Sequence, residues 1–412
     1  MSGNSAVPAL LQQSRVAPFA PLRHRNFRLL WTGLIVSNTG SWMQFVAMGY
    51  LVDRLTQSAL YLGVLAAVQA IPRLVFALVG GTAADRIDRR RLLFGTNLIL
   101  MLSAIILTLL TVTGRIEIWQ ILALAGLNSV VQSFDMPARH SMVPELVEER
   151  EVLAAVSLNS VAFNGAGIFG PSLGGVIIAA TGEAGCFAVN AASYLAVLAA
   201  LAQMSVPEHR AASRVSVLED LREGLRVLRA EPRLLLFLGT VATLSFFGRP
   251  YIRLMPTFAR EALHVGARSL GLLQAAPGIG TVCSALVVGR LSEMRGKGTL
   301  LSAAMIAFGG LVVAFGLVRS FWIALPLLVL MGLAQSLAMA SSNTLVQLTT
   351  PPHARGRLMG LYSMVAFGGF ALGSLPVGAA ASAIGVGPAL SAGGLIVVTL
   401  ALLLRRRLRG IE

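Results

Sequence analysis

Arg73 lies in the middle of an apolar segment, where a permanently charged side chain is unfavourable unless water or a partner stabilises it. It precedes Asp85, at the polar end of that segment, by a helical rise of about 18 Å. That rise places it well inside a hydrocarbon layer about 30 Å thick, where an arginine costs about 3 kcal/mol or more. Gln69 lies one turn earlier on the same face. We expect Arg73 to face a wet cavity, with a buried structural ion pair as the alternative.

A second apolar segment carries two further arginines, on one helical face with Ser245. By the helical rise, Arg249 lies about 24 Å above Arg233, and its environment is left open. Arg253 is expected to extend its side chain to the outer surface. Polar residues in other segments complete the set of predicted substrate contacts. This set consists of Arg73, Gln132, Arg249, Asn38 and Gln335.

Polar side chains form a stripe on the fourth apolar segment. Asn128, Gln132, Asp135 and Arg139 follow the spacing i, i+4, i+7 and i+11, which places them on one helical face. Polar side chains at membrane depth face a protein interior or a water-filled cavity. For Asp135 alone, a cap at the membrane interface before Pro137 is the alternative.

Carboxylates are missing from the central depth of the apolar segments. The nearest are Asp53 and Asp135, which lie at opposite ends. Arginines without acids at matching depth predict a positively charged cavity, which favours anionic or strongly hydrogen-bonding substrates over cations.

The segments that position these residues are membrane helices. The chain has 412 residues, of which 56% are hydrophobic and only 12% are charged, whereas soluble domains have about 25% charged residues. Runs such as Leu92–Thr113 and Phe321–Leu348 contain no charged residue and are long enough to span a bilayer. A soluble protein is therefore excluded. The twelve predicted spans are 27–51, 60–84, 92–113, 118–136, 152–180, 186–204, 234–258, 267–290, 299–318, 321–348, 357–383 and 386–404.

The distribution of basic residues predicts the orientation of the chain. Of its 33 lysines and arginines, 25 fall in the two tails and in alternate connections. The positive-inside rule places these segments, and both termini, in the cytoplasm. The net charge of +15 therefore indicates topology, and a nucleic-acid surface is not expected because no contiguous basic face is evident.

The chain is predicted to consist of two similar six-helix halves. Residues 1–25 form a disordered cytoplasmic tail, 26–205 the first half, 206–233 a cytoplasmic loop with an amphipathic helix, 234–404 the second half, and 405–412 a second tail. Val161-Ala162-Phe163-Asn164-Gly165 resembles Val365-Ala366-Phe367-Gly368-Gly369, 204 residues later. Such duplication is how many transporters place a substrate site between repeats.

Four motifs carry a resemblance to a known family. Residues 81–90 read GTAADRIDRR, residues 134–146 contain FDMPAR and VPEL, residues 355–359 read RGRLM, and residues 170–175 read GPSLGG. The combination resembles the major facilitator superfamily, in the exporter branch known as the transmembrane secretion effector family. The second glycine of the general loop pattern is replaced here by Asp88. The Gly-Pro-x-x-Gly-Gly sequence is similar to the motif of the superfamily's antiporters.

The resemblance implies an all-α membrane protein with twelve helices and two sets of residues that control conformation. One set is a cytoplasmic gate, in which a carboxylate among guanidinium groups acts as a switchable clamp; a plain positive-inside anchor is the alternative. It consists of Gly81, Asp85, Arg86, Arg89, Arg90, Asp135 and Arg139. The other set is the flexible antiporter-like motif, for which static small-residue packing is the alternative. It consists of Gly170, Pro171, Gly174 and Gly175.

The sequence thus predicts an exporter of a small organic molecule in the inner membrane of a bacterium. A proton is retained as a candidate coupling ion, although many proton-coupled relatives have a mid-membrane carboxylate that is missing here. An uptake carrier for a carboxylate or lipid-like solute and a non-transporting receptor or assembly partner remain alternatives. Neither an enzyme nor a cofactor or metal site is expected, because the five histidines are scattered and no catalytic constellation is present.

Overall fold

The computed structural model describes residues 17–86, 88–204, 226–291, 296–351 and 354–409, with side chains for 17–76, 88–204, 226–286, 296–351, 354–405 and 407–408. Twelve long helices and a few short turns account for most of this part of the chain, which contains no strand. The helices are α1 (Arg25–Thr56), α2 (Ala59–Arg86), α3 (Arg89–Val112), α4 (Ile118–Met142), α5 (Val152–Thr181), α6 (Glu183–Gln203), α7 (Pro232–Glu261), α8 (Ala267–Leu291), α9 (Lys297–Leu317), α10 (Phe321–Thr349), α11 (Arg355–Ile384) and α12 (Val386–Arg409).

The helices are suited to a bilayer. Within the described residues, ten of them are long and apolar enough to cross a membrane. The other two, α1 and α4, are 32 and 25 residues long, and the polar side chains that both helices carry lower their hydropathy. Large apolar side chains such as Leu109 and Trp322 are exposed on the outside, as expected for a surface that contacts lipid. The predicted membrane fold of two six-helix halves is confirmed.

Short connections with special backbone geometry reverse the chain at the end away from the termini. Gly182 joins α5 to α6 with a φ of 75°, and Gly385 joins α11 to α12 with a φ of 90°. Glycine adopts such angles without the steric penalty of a side chain. The two glycines occupy equivalent places in the two halves, which supports the internal repeat. Most of the predicted amphipathic helix before α7 lies outside the described residues. Its described part, residues 226–230, is helical.

Helix α7 is interrupted by one π-helical turn, Leu244–Gly248. Pro250 follows it and has no N–H to donate to the carbonyl of Phe246, so regular α-helical bonding fails there. The Arg249 N–H instead donates to the carbonyl of Leu244 at 3.1 Å. Gly373 of α11 packs against the carbonyl of Phe246, where a side chain would not fit. Turns of this kind occur frequently at functional sites, and this one precedes two of the arginines of interest.

Glycines bring the two halves into close contact at the end away from the termini. Gly175 of α5 meets Gly271 of α8, and Gly63 of α2 meets Gly378 of α11. A Cβ atom on Gly175 would lie 2.6 Å from the carbonyl oxygen of Ala267, and one on Gly63 would lie 2.6 Å from that of Ser374. These backbone contacts need small residues. The antiporter-like motif therefore forms part of the interface between the halves.

We expect the substitution Gly175→Ala to disfavour this closed arrangement, because α5 and α8 would have to separate to admit the added methyl group. Ser41 lines a cavity that lies between the two halves. A cysteine at this position should then react severalfold faster with an impermeant thiol reagent supplied from the side away from the termini. Gly165→Ala is the matched control in α5, because an added Cβ there meets no atom within 4 Å. Equal labelling rates in the two variants would contradict the prediction.

Candidate functional site

A cavity of about 390 Å³ lies between the two halves. Helices α1, α2, α4 and α6 supply most of one wall, and α7 and α11 supply the other. Its volume is within the range of sites for drug-sized ligands. Its lining combines aromatic rings with polar groups. The polar side chains are Asn38, Ser41, Gln44, Gln69, Arg73, Asn128, Ser129, Gln132, Asn190, Tyr194, Arg249 and Arg253.

Arg73 lines this cavity beside the polar stripe of α4. Its Nη2 donates to Oε1 of Gln132 at 2.7 Å, which joins α2 to α4 within the first half. The Nε–H of Arg73 is buried and has no hydrogen-bond partner among the described residues. A neutral amide satisfies one donor of the guanidinium but leaves its charge uncompensated. The arrangement can therefore accept an anion from the cavity.

Arg253 also lines the cavity, and the prediction that it extends to the outer surface is wrong. Its guanidinium lies 4.2 Å from the centre of the Phe45 ring and donates to Oε1 of Gln69. The sequence argument extended a regular helix through α7 and assumed that the flexible side chain would reach the interface. The ring of Phe45 and the amide of Gln69 instead give the guanidinium partners inside the protein.

Arg249 lies on the same wall of the cavity, one turn before Arg253. Its Nη1 donates to the carbonyl of Ala366 at 3.3 Å, and its guanidinium lies 5.0 Å from the centre of the Phe370 ring. Phe370 is also 5.9 Å from the guanidinium of Arg253, so one ring contacts both cations. The π-helical turn lies against α11, where Gly373 packs on the carbonyl of Phe246, and this contact holds this part of α7 in place.

The charge of the cavity is positive. Three guanidinium groups line it, and the lining contains no carboxylate among the residues with described side chains. The two carboxylates that the sequence places nearest to the central depth of the membrane both pair with basic residues outside the cavity lining. Asp53 pairs with Arg260 at 2.7 Å, and Asp135 pairs with Arg139 at 2.6 Å. The electrostatic field at the centre therefore favours an anionic ligand.

The buried Asp135 and the partly exposed Arg139 form a polar cluster near the C-terminal end of α4. The carboxylate of Asp135 accepts hydrogen bonds from Thr96 at 2.9 Å and Asn97 at 2.8 Å, both on α3. Arg139 also donates to Oδ1 of Asn38, 3.3 Å away on α1 and on the cavity wall. The cluster thus connects three helices with the cavity. Asp135 bonds to side chains on α3 as well as on its own helix, whereas an interfacial cap would bond only to the end of its own helix.

The other predicted gate residues are only partly described. Arg89 pairs with Glu145 and donates to the carbonyl of Ser141 at 3.0 Å, which holds α3 against the end of α4 and the segment that follows it. Arg90 donates to the carbonyls of Leu201 at 2.6 Å and Ala202 at 3.0 Å, at the end of α6. The side chains of the gate residues on α2 lie outside the described residues. These are Gly81, Asp85 and Arg86.

The antiporter-like motif contacts both halves. Cβ atoms on Gly170 and Gly174 would meet Trp42 and Met43 of α1 at 2.5 and 3.2 Å. Pro171 and Gly175 face α8, where the Pro171 carbonyl lies 2.5 Å from a Cβ built on Gly271. The motif therefore lies between α1 and the opposite half.

One predicted substrate contact lies elsewhere. Gln335 accepts a hydrogen bond from the hydroxyl of Tyr251 at 3.3 Å within the second half and is not part of the cavity lining. Sequence reasoning also missed contributors such as Phe45, Phe370 and Asn190. The only signal for Asn190 was its polarity within an apolar segment, and the aromatic rings had none, because apolar side chains are normal in membrane helices.

The family model of the transmembrane secretion effectors matches residues 16–412, nearly the whole chain. The chain belongs to this family of major facilitator transporters. It is 26% identical to the multidrug efflux pump Tap of Mycolicibacterium fortuitum, covering 87% of this chain and 90% of that protein. It is 25% identical to the enterobactin exporter EntS of Citrobacter koseri, covering 92% of each. The predicted family is confirmed.

A solved structure supports the fold. A bacterial homolog of the human lysosomal transporter Spinster, in an inward-facing and occupied conformation, matches with a TM-score of 0.77 over 94% of this chain and 97% of that one. Sequence identity is 13%, so this likeness concerns the fold alone. The family member described here is a multi-pass membrane transporter and not an enzyme.

Proposed function

We propose that this transporter exports a small organic anion from the cytoplasm. The observation that carries the proposal is the cluster of three guanidinium groups in the cavity. Among the described lining residues there is no carboxylate to balance their charge. Two of them, Arg73 and Arg253, bond to neutral amides that an anion can replace. The efflux and export activities named for the relatives favour the outward direction.

The proposed mechanism is alternating access. The halves rock about the central cavity, which opens first to the side of the termini and then to the opposite side. The glycine pairs and the Asp53–Arg260 ion pair hold the second side closed in the present conformation. Gly170, Pro171, Gly174 and Gly175 are proposed to permit the motion. The residues around Asp85 and Asp135 are proposed to hold the alternative, cytoplasmically closed arrangement.

We place the protein in the inner membrane with both termini in the cytoplasm. The support is the excess of basic residues in the tails and in the connections on the same side. The partners are the lipid bilayer, the substrate and a coupling ion, for which a proton is the candidate.

Transport into oriented vesicles tests the function. Inside-out vesicles containing the protein should accumulate the substrate anions when energised, and right-side-out vesicles should not. Candidate anions come from comparing metabolites in the medium of cells with and without the gene. Vesicles carrying Arg73→Gln provide the control for non-specific uptake. Accumulation only in right-side-out vesicles would indicate an uptake carrier, and transport restricted to cations would contradict the assignment of substrate charge.

A further inference from the structure

One hydrogen bond inside the cavity connects the two halves. The guanidinium of Arg253, on α7 of the second half, donates to Oε1 of Gln69 on α2 of the first half. The ring of Phe45, on α1, lies 4.2 Å from the same guanidinium and limits where it can move. Arg253 is thus held to the first half by an uncharged acceptor, and its Nε–H has no hydrogen-bond partner in the described structure.

The second glutamine–arginine pair of the cavity provides a contrast. Arg73 donates to Gln132 at 2.7 Å, but α2 and α4 both belong to the first half. The two pairs have the same chemistry and line the same cavity. Of these two bonds, Gln69–Arg253 is the one that joins the halves, so it is the one that breaks when they separate.

The position of this bond relates it to the closed side of the protein. Gln69 and Arg253 lie inside the layer where Asp53 accepts hydrogen bonds from Thr257 at 2.6 Å and from Arg260 at 2.7 Å, also between the halves. Beyond that layer, Ser58 of the first half lies 3.2 Å from Ser382 of the second, between their hydroxyl oxygens. Among these three polar contacts on the side away from the termini, the glutamine bond is therefore the innermost.

We propose that Gln69 acts as a placeholder for the anionic group of the substrate and that its displacement loosens the closed side. A carboxylate or phosphate carries the charge opposite to that of the guanidinium and can accept two parallel N–H bonds from it, whereas the amide oxygen of Gln69 is neutral and accepts one. An anion entering from the open side thus replaces Gln69 on Arg253 and removes one bond between the halves. Loading of the substrate favours opening on the opposite side. This inference rests on the proposed export of an anion.

Two substitutions of Gln69 should change the conformation in opposite directions. Gln69→Leu removes the acceptor, and loss of a hydrogen bond to a charged group shifts the equilibrium about tenfold toward the open far side. Gln69→Glu provides a carboxylate that a substrate cannot readily displace from Arg253, so it should favour the closed far side. A purely structural role would not give opposite effects. Gln132→Leu is the matched control because its bond to Arg73 lies within one half.

Disulfide formation between cysteines at Ser58 and Ser382 reports closure of the far side. The full-length protein, with Cys186 and Cys283 replaced by serine, is reconstituted into liposomes and oxidised briefly. Cross-linking should decrease in Gln69→Leu, increase in Gln69→Glu and stay unchanged in Gln132→Leu. Terephthalate should reduce it in the parent but not in either Gln69 variant, and neutral terephthalamide should have no effect.

The outcomes separate this inference from the proposed function. The first comparison is made without ligand. Unchanged cross-linking in Gln69→Leu, or an equal decrease in Gln132→Leu, would overturn the role of Gln69. Calorimetry on the same samples measures binding of terephthalate. If terephthalate binds and cross-linking stays the same, the displacement is refuted while the anion site stands. If terephthalamide binds and terephthalate does not, the anionic substrate class is refuted as well.

Discussion

Replacing Arg73 with glutamine is expected to weaken binding of an anionic substrate about 100-fold, because truncating one partner of a buried charge pair costs about 2–5 kcal/mol. Arg73 faces the cavity with one donor bonded to Gln132, so its other donors remain for a ligand. Arg73→Lys keeps the charge but loses the planar, two-pronged geometry, and a loss of about tenfold is expected. Equilibrium binding to purified protein in lipid nanodiscs measures both effects.

Arg115→Gln is the control for a general change in charge. Arg115 is exposed in the connection between α3 and α4, away from the cavity lining, and its replacement should leave binding unchanged. A substrate whose affinity stays the same or improves in Arg73→Gln would exclude an anion contact at this position. Equal losses of binding affinity in Arg73→Gln and Arg115→Gln would mean that the effect comes from the overall charge of the protein.

Asp135→Asn is expected to cause a large loss of stability. The carboxylate is buried, pairs with Arg139 at 2.6 Å and accepts hydrogen bonds from Thr96 and Asn97. Breaking a buried ion pair from one side costs about 3–5 kcal/mol, because the remaining charge is left without its partner. We expect the lower part of that range, since Arg139 is one-fifth exposed and keeps its bond to Asn38.

Thermal unfolding of the purified protein measures this loss as a lower Tm. Asp88→Asn is the matched control, because Asp88 caps α3 by accepting the Arg91 N–H at 2.8 Å and asparagine caps a helix equally well. The Tm of Asp88→Asn should stay close to that of the parent. A Tm for Asp135→Asn as high as that of the control would mean that the cluster contributes little to stability.

The sequence was informative about the site where polarity contrasts with an apolar background. Arg73 and Gln132 were predicted on separate helices, and the structure brings their side chains within 2.7 Å. Asn38 and Arg249 also line the cavity. Gln335 satisfied the same criterion, yet its amide bonds to Tyr251 inside the second half. Depth in the membrane follows from residue number, whereas the direction of a side chain depends on which helix packs beside it.

The amino-acid sequence alone determined the membrane class, the number of spans, the repeat and the family, because these depend on the order of apolar, charged and small residues along the chain. Only the tertiary structure decided where the charges meet. The packing of the second part of α7 against α1 and α2 brings Arg253 to Gln69 and Phe45, residues on those two helices. Gly175 owes its role to Gly271, 96 positions later in the sequence. Contacts between distant segments depend on how the helices pack, and no local pattern specifies that packing.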